Sequence, residues 1–365
     1  MVPGVEAMKR TIGVFLLAGC LVGCSTQLLP YNLEVPAQTM RVVGTPDPVD
    51  GRRRFREIFC SLLARENGFE TGPLGCEKQL HRLVDEAPVV NPLAPLPAHD
   101  TRYRVLIVPG LFGECFADSV TPFADASARL QSHGYRVEPL VVSGRSSADH
   151  NAGQIADAVR AIDLGPEDRL LLVGHSKGAV DILHFLANYP DLADRVDAVA
   201  SVAGAINGSP IADRMAKPYE RWLADLGVDE CSPGDGGALE SLRRPVRLEW
   251  LASHPLPPDI PRFSVVGFTE KSNVAHVLRS FWKDLARIDP RNDGLLLFFD
   301  QVIPGATLLG YANADHFAVA IPFEEQSDWA VAGSALGHAP YPRGVLLEAI
   351  VLYVAESANA TRADD

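Results

Sequence analysis

Positive charge is what this sequence is short of. Its 33 lysines and arginines face 46 aspartates and glutamates, a formal net charge of −13. With no long basic run anywhere, the chain lacks the phosphate-neutralising surface that nucleic-acid binding requires, which excludes that class of partner. The nearest approach to a cationic cluster, Arg52-Arg53-Arg54 with Arg56, reads as a solvated helix start. No Cys-x-x-Cys pair occurs, and no ligands are spaced along the chain for a structural metal; neither a metal nor a cofactor is expected. Long apolar runs are missing as well, the segment around Thr11 to Leu17 being too short for a settled membrane span.

Apolar residues as a class are plentiful. At 47% hydrophobic over 365 residues, the chain can bury a sizeable core, with one large domain favoured. The rest of the chain is organised around Arg169 to Asp181, RLLLVGHSKGAVD. Leu170 to Val173 is a β-type run. Ala179 to Tyr189 carries Val180, Leu183, His184 and Ala187 at helical spacing. Between them stands Gly174-His175-Ser176-Lys177-Gly178, a G-x-S-x-G in the strand-turn-helix context that exposes a serine hydroxyl on a strained bend. A helix N-terminus beneath that serine aims backbone N–H groups, that of Lys177 included, at charge developing on a bound carbonyl oxygen.

Along the chain, strands are expected at 103–108, 135–142, 170–173, 196–202, 263–268 and 307–311. Helices are expected at 55–67, 77–86, 121–132, 146–162, 179–189, 273–288 and 345–355. Over about a hundred residues from Tyr103 the two alternate, the sequence form of a parallel α/β sheet. The prolines at Pro30, Pro36, Pro46 and Pro48 mark 25–50 as a tether, and those between Pro88 and Pro97 mark a linker. The stretch 211–261 is longer than ordinary connections and reads as a cap or binding region.

From Tyr103 onward the sequence resembles an α/β-hydrolase of the lipase and esterase type. That resemblance implies an α/β-hydrolase fold: a mostly parallel central sheet flanked by helices, with a cap insertion at about 211–261 and a small helical N-terminal extension. In such proteins the loop after the first long strand supplies half of an oxyanion hole. Here that loop is Pro109-Gly110-Leu111-Phe112-Gly113, so Leu111 is the matching donor and Lys177 the other; Pro109 stands where many members carry histidine. A serine needs a base, and the base an oriented carboxylate, in the order Ser, Asp or Glu, His. His316, in Ala314-Asp315-His316-Phe317, matches the base segment, with His338 as the alternative. His184, His254 and His276 are placed wrongly for a loop beyond the last strand. Asn292-Asp293-Gly294-Leu295 resembles the turn that presents the acid, making Asp293 the choice and Asp300 the runner-up. Asp315 is assigned to shaping the loop.

The N-terminus, Met8-Lys9-Arg10 followed by an apolar segment, reads as an export signal. Leu17-Ala18-Gly19-Cys20 and Leu21-Val22-Gly23-Cys24 resemble bacterial lipoprotein cleavage sites, with Cys24 preferred as the lipidated residue. The implied organisation is a signal peptide at 1–23, a tether and helical extension at 24–100, and a hydrolase domain at 101–365. The implied location is the bacterial envelope, on a membrane through the lipid anchor. Cys60, Cys76, Cys115 and Cys231 then permit three disulfide pairings. Cys60–Cys76 with Cys115–Cys231 is preferred because the first two share one segment. The expected activity is hydrolysis of lipid-like or other apolar carboxylic esters through an acyl-enzyme. A silent binding module on the same fold, or an acyltransferase using the same residues, are the alternatives.

Overall fold

The structure, a computed structural model, describes residues 29–66, 72–89, 94–111, 121–215, 234–322 and 341–364. Phe112, Gly113, Cys20, Cys24, Cys115, Cys231 and His338 lie outside the described residues.

The elements, in chain order, are β1 (Val49–Asp50), α1 (Arg52–Glu66), α2 (Gly72–Glu77), β2 (Leu80–His81), β3 (Tyr103–Val108), α3 (Ala124–Ser132), β4 (Arg136–Pro139), α4 (Ala148–Ala161) and β5 (Arg169–His175). They continue as α5 (Lys177–Asn188), α6 (Pro190–Ala193), β6 (Ala198–Val202), α7 (Arg244–Ser253), β7 (Arg262–Gly267), α8 (Arg279–Leu285), β8 (Thr307–Ala312) and α9 (Arg343–Asp364). Eight strands form one sheet in the order β1-β8-β7-β6-β5-β3-β4, every pair on this path parallel, with β2 added antiparallel to β8. This is the α/β-hydrolase architecture.

Helices cover both faces, so the central strands are apolar without interruption, and alternate residues serve opposite layers. Val105, Ile107, Leu171 and Val173 point to one side, where they pack with Phe55, Ile58, Leu130, Leu346 and Ile350 of α1, α3 and α9. Leu106, Val108, Leu170 and Leu172 point to the other, onto Ile155, Val159, Ile182 and Phe185 of α4 and α5.

The N-terminal region corrects the expected organisation. Residues 29–48 lie on the body rather than trailing from it: Tyr31, Leu33, Val35 and Ala37 pack on Phe268, Phe298 and Tyr311, and Met40 donates its N–H to the carbonyl of Phe299. The extension that follows contributes two strands to β8 and a helix to the main core. A disulfide joins Cys60 to Cys76, with Cα atoms 5.3 Å apart. The arginine cluster does open a helix, but only Arg53 of it is exposed to solvent. Arg52 is buried between Asp50 and Asp85, and Arg56 grips Glu86 and the carbonyls of Leu80 and His81. Two expected helices also differ. Leu80, read as part of a helix over 77–86, instead pairs with Ala312 across the sheet edge. Within 273–288 only α8 is α-helical. Two short 3-10 turns precede it where Asp315 captures the N–H of Ala275 at 2.6 Å.

Candidate active site

The bend between β5 and α5 is made possible by its two glycines. A Cβ on Gly178 would stand 2.1 Å from the carbonyl oxygen of Val108, and one on Gly174 2.5 Å from the Cα of Ala179. No side chain fits in either place. Between them Ser176 is held at φ 55° and ψ −122°, a conformation that costs a non-glycine residue on the order of 1–3 kcal/mol. The strain is sustained by neighbours: Ser176 donates its N–H to Val202 and accepts at its carbonyl from the N–H of Ala205. A Cβ on Gly110 would come within 2.8 Å of the Ser176 Cβ, so the loop after β3 lies directly against the serine.

His316 arrives from the loop after β8. Asp315 shapes that loop, its Oδ1 accepting from the N–H of Phe317 at 3.0 Å and of Ala318 at 2.7 Å. The His316 backbone N–H donates to the carbonyl of Asp293 at 2.8 Å. The imidazole then lies between two partners, with Nδ1 2.7 Å from Asp293 Oδ2 and Nε2 2.8 Å from Ser176 Oγ. A carboxylate only accepts, so Nδ1 carries the proton and Nε2 is left to accept from the serine hydroxyl. Asp293 is held by its own turn. Its Oδ1 accepts from the N–H groups of Leu295 (2.8 Å) and Leu296 (2.6 Å), and Gly294 at φ 97° closes the bend. Ser176, His316 and Asp293 are all buried.

The sequence reading overlooked one member of this arrangement. His175 is fully enclosed, its Nε2 2.9 Å from the carbonyl oxygen of His316 and its ring 5.0 Å from that imidazole. Burial, followed by the proximity of His316, pushes its pKa down to about 3, so it is neutral and donates Nε2–H to that carbonyl. An ionisable residue ending a strand buried throughout was the available signal.

The remaining sequence candidates lie as follows. Leu111 is half-buried just past β3, whose Val108 is in register with Gly174 of β5. Lys177 opens α5, where the first N–H groups have no partner within the helix. Its side chain is buried, with Nζ 2.6 Å from Asp181 Oδ1. Asp300 faces Arg244 at 3.2 Å, and burial pushes its pKa up to about 7 in spite of that cation. His184 lies between Asp149 and Arg247, His254 stacks on Trp250, and His276 is exposed. Of the stretch taken as a cap, the described part supplies α7, docked on α5 through Arg247 and His184 and through Trp250 stacked on His184 at 4.0 Å.

Compared with known proteins, the chain matches no family model. It is 30% identical over 118 residues to the triacylglycerol lipase of Pseudomonas fragi, a match spanning 32% of this chain and only 39% of that protein. Among solved structures, a metagenomic carboxyl esterase superposes with a TM-score of 0.79 at 39% identity, covering 90% of this chain and 97% of that one. The lipase of Staphylococcus hyicus, at 13% identity and a TM-score of 0.52 over 70% of this chain and 97% of its own, shares the fold alone.

Proposed function

The chain belongs to the carboxyl esterase and lipase family of α/β-hydrolases, and from that premise we propose that it hydrolyses carboxylic esters with Ser176 as nucleophile. The observation that carries this reading is the continuous chain from Ser176 Oγ through the His316 ring to Asp293, at 2.8 and 2.7 Å. His316 takes the hydroxyl proton as Oγ bonds to the ester carbonyl carbon. Asp293 steadies the imidazolium that results. Negative charge moves to the carbonyl oxygen, where the backbone N–H groups of Leu111 and Lys177 receive it. The tetrahedral species collapses, the alcohol leaves with the proton from His316, and an acyl-serine remains. Water, deprotonated by the same imidazole, attacks that acyl group; the acid departs and Ser176 regains its proton.

The substrate class in this proposal is apolar acyl esters, in keeping with the Leu111 and Leu295 side chains that pack with Leu296 and Leu242 beside the acid turn. In this reading the insertion at about 211–261 is the cap region, and lipidation of Cys24 holds the protein on an envelope membrane. Among the described residues no helix is long and apolar enough to cross one.

Fluorophosphonate labelling and a series of nitrophenyl esters of graded acyl length test the reading. The wild type labels once and prefers longer chains; Ser176→Ala does not label and loses on the order of 10⁴–10⁶ in kcat. Hydrolysis that survives in Ser176→Ala would overturn it, and an unlabelled wild type would leave a silent scaffold. Cys24→Ala is expected to move the protein from the membrane fraction to the soluble one.

A further inference from the structure

Away from the serine, the path into β3, the end of α3 and the start of α9 meet at one place. His99 precedes β3, His133 caps α3, and Glu348 lies in α9. The two imidazoles stack with centroids 4.3 Å apart and planes 15° from parallel. Their Nε2 atoms stand 3.5 and 3.6 Å from the same oxygen, Oε1 of Glu348. Those separations are long for hydrogen bonds. The distances of both rings to the carboxylate match those between ligands about 2.0–2.2 Å from a tetrahedral centre, roughly 3.3–3.6 Å, and the ion is reached when the more exposed ring, His133, swings out of the stack to turn its in-plane lone pair toward it. Among the described residues this is where His, Cys, Asp and Glu side chains converge in the manner of a metal site, all three ligand atoms lying within 4.8 Å of each other.

We propose that His99, His133 and Glu348 bind a divalent transition-metal ion of the zinc class, which fastens α9 to α3 and to the entry of the sheet.

The surroundings favour it. Glu348 is an almost wholly buried carboxylate whose other oxygen is occupied by Arg129, leaving Oε1 turned to the rings. Arg129 is itself shared with Glu66 at 3.2 Å, which offsets its charge, and Arg65 lines the same hollow. Nδ1 of His99 lies 3.3 Å from the Tyr135 hydroxyl, which also receives the N–H of Asp100. An outer partner of this kind fixes a ligand ring and turns its other nitrogen toward the ion. The imidazoles are 30% and 39% exposed and open onto a hollow of about 250 Å³, room for water in a fourth position. Two imidazoles and one carboxylate select zinc, cobalt, nickel or copper over magnesium or calcium.

The test uses the full chain without a histidine tag, stripped with chelator and titrated with Zn²⁺ by calorimetry and with Co²⁺ by visible absorption. One equivalent should bind saturably, raise Tm, and give the intense visible bands of low-coordinate cobalt. His133→Asn and His99→Asn, at partly exposed positions, should each weaken binding roughly 100-fold while the metal-free Tm stays near wild type. Ser176→Ala should bind as wild type does, separating this site from the serine. Absence of saturable binding, or binding unchanged in both histidine variants, would overturn the proposal.

Discussion

At the scale of single residues, the position of His316 is set from two directions. Asp293 holds its ring and its backbone N–H, and His175 holds its carbonyl. His175→Phe leaves that buried carbonyl without its donor, a cost of about 1–3 kcal/mol, and frees the imidazole to drift. We expect kcat to fall roughly 10–100-fold with KM little changed, and His175→Gln, which can still donate, to recover most of it. A loss of stability with kcat intact, measured by steady-state kinetics beside thermal melts, would reduce His175 to packing. Ser176, Asp293 and His316 were legible because each stands in a short local pattern: a glycine-flanked serine, an Asp-Gly turn, an Asp-His after a strand. His175 offered only the weaker signal of an ionisable residue ending an apolar run, since its partner is a main-chain oxygen 141 residues away. His99, His133 and Glu348 offered none, as their spacing along the chain carries no ligand pattern.

At the scale of elements, α5 does more than aim N–H groups at the bend. Lys177 and Asp181, one turn apart, form a pair buried at both ends, and Asn151 of α4 donates to the second carboxylate oxygen at 2.7 Å. Burial pushes the Asp181 pKa up while Lys177 opposes the rise, so the carboxylate depends on that cation. Lys177→Ala should cost about 3–5 kcal/mol, whereas the double replacement Lys177→Met with Asp181→Leu should cost far less, as read from urea unfolding midpoints. The central strands were readable because two-sided burial writes itself as an unbroken apolar run. The helix expected over 77–86 was not realised because the open edge of β8 competes for Leu80 and His81, and such pairing leaves no mark in the apolar spacing.

For the molecule as a whole, three interior histidines share one response to acid. Burial lowers His81, His175 and His184 from an ordinary value of 6.5 to about 4, 3 and 4. Each is neutral in the fold and takes up its proton on unfolding, so the unfolded chain binds more protons below pH 6.5. Their contribution is complete above that value and declines as the pH falls toward 4. Tm should therefore drop from pH 6.5 to 4, less steeply than the three rings alone would give, because Asp300, raised by burial to about 7, takes up its proton in the fold over the same range and works against them. His81→Phe, which keeps the stack on Phe268, should make that slope shallower; an unchanged slope would show that this ring titrates as it does in solution.

The course of residues 29–48 over the body sets a leash length. Tyr31 is already fixed, its hydroxyl 2.8 Å from His81, and seven residue steps separate it from Cys24, about 25 Å at full stretch. A lipid on that cysteine would keep Tyr31, and the face of the hydrolase it packs on, within about 25 Å of the bilayer surface. Its encounters with esters would then be a search in two dimensions, governed by how densely they populate the leaflet and scarcely at all by their concentration in the surrounding fluid.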